Sequence, residues 1–205
     1  VSDEGLAYLK PLKKLRALDL AGTDLGDAGL EQIAALTTLT QLSLSYDRFT
    51  ANGLKRLENL ENLLELDLIR TRTNDEGLAS LGRLKNLKKL NLDYTAVTDA
   101  GLAHLAPLAL TELRLDSAGI TDAAVERLKS MTGLKVLNLY HTLVTETGYQ
   151  SLKQALPGCT IIWMARSRPA RGLPDLGRWT LDLRLNCVEA AQPVHQRLAA
   201  MDLED

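Results

Sequence analysis

A six-residue pattern, L-x-x-L-x-L, recurs along this chain at an almost constant interval. Its first leucine stands at positions 15, 39, 63, 87, 110 and 134, so the successive separations are 24, 24, 24, 23 and 24 residues. A fixed period in the twenties is typical of proteins built from stacked structural repeats. Because one such repeat cannot bury its apolar face alone, the pattern predicts a solenoid whose coils cover one another.

Each repeat has two halves with different periodicities. The last two leucines of L-x-x-L-x-L are two residues apart, which places both side chains on one face of a short strand. The second half has the form T/N-D-x-G-L-x-x-L, as in residues 98–105. It begins with side chains that can cap a helix and then spaces leucines along one helical face. We therefore expect an α/β horseshoe, with a parallel sheet on the concave side and short helices on the convex side.

Two further columns of residues keep the same register. Thr follows most strands, at positions 23, 71, 95 and 142, with Asp47 and Ala118 as exceptions, and its hydroxyl can bond the backbone of the turn. Gly recurs at the start of the helical half, at positions 5, 29, 53, 77, 101 and 148, with Ala124 as the exception. No phosphate-binding glycine motif is present. The glycine column therefore predicts close packing between successive helices.

Charge and hydropathy restrict the classes of partner. The net charge of -2 gives no basic patch of the kind that nucleic-acid binding requires, so we expect no nucleic-acid partner. No apolar run reaches the ~18 residues needed to span a bilayer, so we expect no membrane partner. The first four residues, VSDE, are acidic where a secretory signal peptide is basic. These features predict a cytoplasmic protein.

The sequence offers no constellation for catalysis or metal binding. The three histidines, His104, His141 and His195, have no ligand spacing, and no nucleophile motif such as G-x-S-x-G occurs. Cys159 and Cys187 also lack the spacing of a metal site. We therefore predict a protein that is not an enzyme, with no catalytic residues, no metal and no cofactor.

These repeats resemble the leucine-rich-repeat family, over roughly residues 1–163. The T-D-x-G-L segment is similar to the 24-residue variety that is abundant in bacteria and to ribonuclease-inhibitor-like and F-box-associated repeats. The resemblance implies protein binding as the function. It also implies that residues 1–12 are the convex half of a repeat whose strand is missing. An uncapped N-terminal coil exposes apolar surface, so self-association through that coil is a further expectation.

The end of the repeats also matches the family. Residues 155–163, ALPGCTIIW, resemble the L-P-x-C-x-I-x-W ending, which implies that Trp163 covers the core rather than binds a ligand. We assign residues 1–165 to a repeat domain of about six full repeats with a C-terminal capping strand. Residues 166–205 form an Arg- and Pro-containing tail, interpreted as partly ordered or flexible. Within it, residues 179–185 could form an edge strand, and residues 188–203 could include a short helix after Pro193.

The candidate binding surface consists of the side chains that point outward between and just after the strand leucines. Neighbouring strands lie ~4.8 Å apart, so equivalent positions of successive repeats should form continuous stripes. Tyr and Arg, the residues that most often anchor interfaces, alternate in one stripe beside a row of acids. The predicted concave-face site for a protein partner comprises Tyr46, Asp67, Ile69, Arg70, Asp93, Tyr94, Asp116, Tyr140 and His141.

Alternatives remain open at this point. The same side chains could be a solvated strand face with ion pairs such as Arg70 to Asp93. For the whole chain, the alternatives to an interaction module are a substrate-recognition subunit of a larger assembly, such as a ubiquitin-ligase-type adaptor, and a structural spacer.

Overall fold

Seven short strands form one parallel sheet in chain order in the computed structural model, which describes residues 3–165. Ala17 pairs with Gln41 and Gln41 with Glu65, 24 residues apart in each case, whereas Lys89 pairs with Glu112, 23 residues on. The predicted register is therefore confirmed, including the shorter fourth repeat. The strands are β1 (Ala17–Asp19), β2 (Gln41–Ser43), β3 (Glu65–Asp67), β4 (Lys89–Asn91), β5 (Glu112–Arg114), β6 (Val136–Asn138) and β7 (Thr160–Ile162). We call the repeat that begins with each strand a coil, so coil 3 begins with β3.

Short helices return the chain from each strand to the next. The α-helices are α1 (Asp27–Ile33), α2 (Ala51–Lys55), α3 (Asp75–Leu81), α4 (Val125–Ser130) and α5 (Glu146–Ala155). Short 3-10 helices cover Glu4–Leu9, Arg56–Asn59, Gly101–His104 and Asp122–Ala124. Thr50, Asn74 and Thr145 accept a hydrogen bond from the first turn of the helix that follows them, as the cap-type residues predict.

The core between sheet and helices is built almost entirely of leucine. Leu42, Leu66 and Leu90 pair across neighbouring strands and are each at most 2% exposed. Phe49 is buried among them. Thr71, Thr95 and Thr142 donate their hydroxyls to carbonyls three residues earlier, as predicted for the Thr column, whereas the buried Thr23 hydroxyl has no hydrogen-bond partner within the described residues.

A second set of contacts joins successive coils at the start of their helical halves. The carboxylate of Asp75 accepts the N–H of Thr98 at 2.8 Å and its hydroxyl at 2.6 Å. Between coils 2 and 3 the corresponding residues are Ala51 and Asn74, and no such contact forms between them. We call this set the Asp–Thr ladder, and its pairs are Asp27–Thr50, Asp75–Thr98, Asp99–Thr121 and Asp122–Thr145.

The ladder explains the glycine column. A Cβ atom on Gly53, Gly101 or Gly148 would collide with the carboxylate of the ladder aspartate in the preceding coil. Gly77 follows the interrupted rung, and there a Cβ would instead meet a methyl group of Leu54 at 2.8 Å. The prediction of close packing between helices is confirmed, with the ladder carboxylate as its main cause.

Trp163 covers the C-terminal end of the described core, as predicted. Its ring stacks on Tyr149 with a centroid distance of 4.6 Å and an interplanar angle of 9°, and its Nε1 donates to the Val144 carbonyl at 2.9 Å. None of the helices between residues 3 and 165 is long and apolar enough to cross a membrane. The predictions for residues 166–205 lie outside the described residues.

Candidate functional site

Every full coil leaves the sheet through a tight turn with the same unusual backbone. In coil 3 the Thr71 N–H donates to the Leu68 carbonyl at 3.3 Å, and the third residue of this turn, Arg70, has a φ of +52°. A positive φ at the third position is typical of a type II turn, which favours glycine there. We call the six residues at this position, whose φ values run from +51° to +68°, the turn row: Gly22, Tyr46, Arg70, Tyr94, Ser117 and His141.

Hydrogen bonds between coils hold the turn row in place. The backbone N–H groups of Tyr46, Arg70 and Tyr94 donate to carbonyls of the next coil at 2.8, 3.0 and 2.7 Å. The left-handed conformation costs a residue with a side chain roughly 1–2 kcal/mol relative to the ordinary one. Only coil 1 avoids this cost, because Gly22 occupies its turn. The other five coils therefore accept a backbone penalty to place a side chain at the edge of the concave face.

Three successive members of the turn row stack on one another. The Arg70 guanidinium carbon lies 4.7 Å from the ring centroid of Tyr94 and 6.0 Å from that of Tyr46. Both tyrosines are well exposed, at 56% for Tyr46 and 44% for Tyr94. Within residues 3–165 the guanidinium has no hydrogen bond or ion pair, so the pairing of Arg70 with Asp93 that the sequence left open is not formed. The Arg70 guanidinium instead makes cation–π contacts with the two tyrosine rings.

Asp67 has a structural hydrogen-bonding role. Its Oδ1 atom accepts the backbone N–H of Ile69 at 3.1 Å and the hydroxyl of Ser45 at 2.7 Å. Asn91 and Asn138 accept the N–H two residues on in the same way. This position therefore supplies an acceptor for a backbone N–H that faces away from the sheet.

Asp93 accepts a backbone N–H of coil 5 that has no side-chain acceptor in its own coil. Coil 5 carries Arg114 where the neighbouring coils carry Asp or Asn, so the N–H of Asp116 has no acceptor two residues earlier. Asp93 of coil 4 accepts it at 2.7 Å. Asp93 is only 9% exposed, and burial, aided by the nearby carboxylate of Asp116, raises its pKa to about 6. Its carboxylate lies deeper than the outward-facing position suggested from the sequence.

The remaining predicted residues meet in coils 5 and 6. His141 Nδ1 lies 3.0 Å from Asp116 Oδ1, which also accepts the Ser117 hydroxyl at 2.9 Å. The ring of Tyr140 contacts that of His141 at a centroid distance of 3.9 Å. Six of the nine predicted residues thus fall into two groups, the stack of Tyr46, Arg70 and Tyr94 and a polar group of Asp116, Tyr140 and His141. Ile69 lies half-buried beside the stack.

Sequence reasoning missed Ser45 and Ser117. Each serine donates its hydroxyl to one of the predicted aspartates, and Ser45 is almost fully buried. Ser45 stands two residues after Ser43, the coil 2 equivalent of its partner Asp67, and Ser117 directly follows Asp116. A search for hydroxyl residues adjacent to the acidic row would have found both.

Other charged groups on this side of the coils pair with each other. At the strand positions Lys89 bonds Glu65 at 2.8 Å, and Arg114 bonds Glu112 at 2.6 Å. The two depressions of about 420 and 570 Å³ lie elsewhere, in the helical halves and the loops that lead to the next strands. They are open and lined mainly by charged and amide side chains, such as Glu58, Arg83 and Asn86. Neither includes a residue of the turn row.

Comparisons with known proteins agree on the fold. A family model described as Leucine Rich repeat matches residues 12–34 and 83–106. No curated protein matches the chain. Among solved structures, internalin C2 from Listeria monocytogenes is 25% identical with a TM-score of 0.64, and the alignment covers 78% of this chain and 65% of that one. A second internalin of that organism, inlF, is 18% identical with a TM-score of 0.61, covering 78% and 44%. The chain thus spans less than two thirds of the length of either internalin.

Proposed function

Since the chain is a leucine-rich-repeat protein, we propose that it is a non-enzymatic interaction module that holds a protein partner against the concave side of its sheet. The fold supports protein interaction in general. We further assign the partner to the strand face and to particular side chains on it. The footprint extends from coil 2 to coil 6 and comprises Tyr46, Asp67, Ile69, Arg70, Asp93, Tyr94, Asp116, Tyr140 and His141.

The observation that carries this proposal is the composition of the turn row. Its backbone favours glycine, as in coil 1, yet coils 2, 3 and 4 place Tyr46, Arg70 and Tyr94 there. Since all three side chains are exposed, burial in the core does not repay the backbone cost. Strain of this kind, over-determined by the surrounding hydrogen bonds, clusters at functional sites. A partner that buries these side chains would compensate the backbone cost with binding free energy.

The stack also lowers the cost of binding. Arg70 lies between two rings, so its long side chain is restricted before any partner arrives. Ordering a flexible side chain at an interface costs ~0.5–1.5 kcal/mol, and a preformed arrangement avoids part of that cost. Tyr and Arg are also the residue types in which interface binding energy most often concentrates.

Capture from a lysate of the source cells tests the proposal. The bait is the full chain, compared with a variant that carries Tyr46→Gly, Arg70→Gly and Tyr94→Gly. Glycine suits the backbone of the turn row, so this variant removes the side chains without disturbing the turns. A matched control changes three exposed residues in helical segments, Lys55→Ala, Arg56→Ala and Gln154→Ala.

We expect a protein that is captured by the wild type and the control but lost with the turn-row variant. Equal capture by all three baits would show that the partner binds another surface. Capture of nothing by any bait would favour the structural spacer, and capture of ubiquitin-ligase components would favour the adaptor alternative.

A further inference from the structure

We propose that Arg70, held between Tyr46 and Tyr94, binds the side-chain carboxylate of a glutamate or aspartate in an acidic segment of the partner. This inference rests on the proposed function and names the chemistry that the partner brings to the site. The acidic side chains of the footprint already have hydrogen-bond partners within the fold, whereas the Arg70 guanidinium has no acceptor within residues 3–165.

The acidic groups of the footprint are engaged within the fold. Asp67 accepts from Ile69 and Ser45, and Asp116 accepts from Ser117 and lies against His141. Asp93 is nine-tenths buried and accepts a backbone N–H. A basic group of a partner would have to compete with these contacts. The row of acids is therefore a poor candidate for the main electrostatic contact.

Arg70 is in the opposite situation. It is exposed, and no acceptor within residues 3–165 contacts its guanidinium. Contact with aromatic rings uses the faces of a guanidinium and leaves the N–H donors along its edge available. A carboxylate matches that edge with two parallel hydrogen bonds, the geometry in which Arg binds acidic groups most strongly. The tyrosine hydroxyls on either side also have no hydrogen bond within the described residues.

Arg70 is distinctive because it is unpaired within residues 3–165 and lies against aromatic rings, whereas three other arginines of these coils form ion pairs. Arg48 bonds Asp24 at 2.8 Å, Arg114 bonds Glu112 at 2.6 Å and Arg83 bonds Glu58 at 3.4 Å. Arg72, two residues from Arg70, is exposed and has no ion pair within residues 3–165, but no aromatic ring contacts it. Arg72 is therefore a matched control for charge without the stack.

The test titrates the full chain with a hexaglutamate peptide that is acetylated and amidated at its ends, so that every carboxylate is a side chain. Capped hexaglutamine and hexalysine serve as the neutral and basic comparisons. The readout is the NMR signal of the Arg70 Nε–H group, assigned by its loss in Arg70→Gln, together with backbone shifts. Binding by a single such contact is weak, so the peptides are used up to roughly millimolar concentration.

We expect hexaglutamate to shift the Arg70 Nε–H signal and the backbone signals of Tyr46 and Tyr94. Arg70→Gln should weaken the binding by about tenfold, the usual loss for a charge-assisted pair. Arg72→Gln should weaken it by less than about twofold, as for screened surface charge. Arg70→Lys keeps the charge without the planar fork and should bind almost as weakly as Arg70→Gln.

Three results would overturn the inference. Equal losses for Arg70→Gln and Arg72→Gln would mean that the peptide responds to charge alone. Shifts with hexalysine, centred on the acidic row, would mean that the partner group is basic. No shift with hexaglutamate would mean that the stack does not bind carboxylates. If the turn-row variant still loses its captured protein in any of these cases, the concave-face function stands and only the carboxylate inference fails.

Discussion

The Asp–Thr ladder and the turn row lie in the same coils but show opposite kinds of repetition. The ladder uses the same two residue types in four coil junctions, with Asp75 and Thr98 as an example. The turn row keeps the same backbone in six coils but changes its side chain in nearly every coil. Positions that repeat in both backbone and side chain serve the stacking of coils. Positions that repeat only in backbone are available for recognition.

The largest effect on stability is expected from breaking a ladder rung. Asp75→Ala removes two hydrogen bonds to Thr98, one of them to a backbone N–H, and should lower the free energy of unfolding by about 2 kcal/mol. Arg70→Gly in the same coil should change it by less than about 0.5 kcal/mol, because relief of the left-handed backbone is offset by the larger conformational entropy that glycine loses on folding. Urea denaturation of the two variants measures the difference.

Glu76→Ala is the control for Asp75→Ala, since Glu76 is the exposed neighbour on the same helix. If Arg70→Gly proved as destabilising as Asp75→Ala, the turn row would be a structural element and the contrast between the two regions would disappear.

A smaller, pH-dependent effect is expected at Asp93. Its pKa is about 6 in the folded protein against 3.8 for an ordinary aspartate, so ionisation costs more in the folded chain than in the unfolded one. The stability contributed by the neutral acid is present below pH 4 and is lost as the pH rises through about 6. Relative to wild type, Asp93→Asn should therefore gain on the order of 1–2 kcal/mol between pH 4 and pH 8, after allowance for solvent screening.

The measurement is the difference in unfolding free energy between wild type and Asp93→Asn at each pH. Asp116, Arg114 and Asp67, the charged groups that act on Asp93, are the same in both proteins. A difference that does not vary with pH would contradict the raised pKa and would give Asp93 the pKa of an ordinary aspartate.

The smallest effect is expected from completing the ladder. Ala51→Asp with Asn74→Thr would create the missing rung between coils 2 and 3, and Gly77 already stands at the position that is glycine after three of the four existing rungs. We expect the double variant to be about 1 kcal/mol more stable than Asn74→Thr alone, from the new hydrogen bonds. Equal thermal stability of the two would show that the ladder geometry does not transfer to this junction.

The leucine pattern was sufficient to predict the strand register because each apolar position has one place in a stacked coil. It also located the turn row, although not its backbone, since Tyr46 and Arg70 carry no sequence mark of a positive φ. The ladder also has a sequence signal: in four coils Asp occurs where the next coil has Thr, Ala51 precedes Asn74, and only Asp3, which precedes Gly26, departs from this pairing in the described residues. That correlation between neighbouring repeats indicates a direct contact.

Side-chain partnerships were the least predictable part of the site. Arg70 had both an acid and two rings within reach, and the sequence alone does not show that Asp93 is already committed to the N–H of Asp116. That commitment depends on the exception at Arg114 one coil further on. Which neighbour on an adjacent strand Arg70 contacts depends on the hydrogen bonds of the whole row, and these are fixed only in the folded structure.

The positive φ of the turn row also bears on how such proteins change over generations. At this position glycine fits the folded backbone at the lowest cost and the stability of the chain does not select for a side chain, so neutral substitution can drift toward glycine. A Tyr, Arg or His that persists there must be retained by selection acting on something outside the chain's own stability. In a set of related sequences, the coils that resist this drift toward glycine would mark where a partner binds, without any knowledge of that partner.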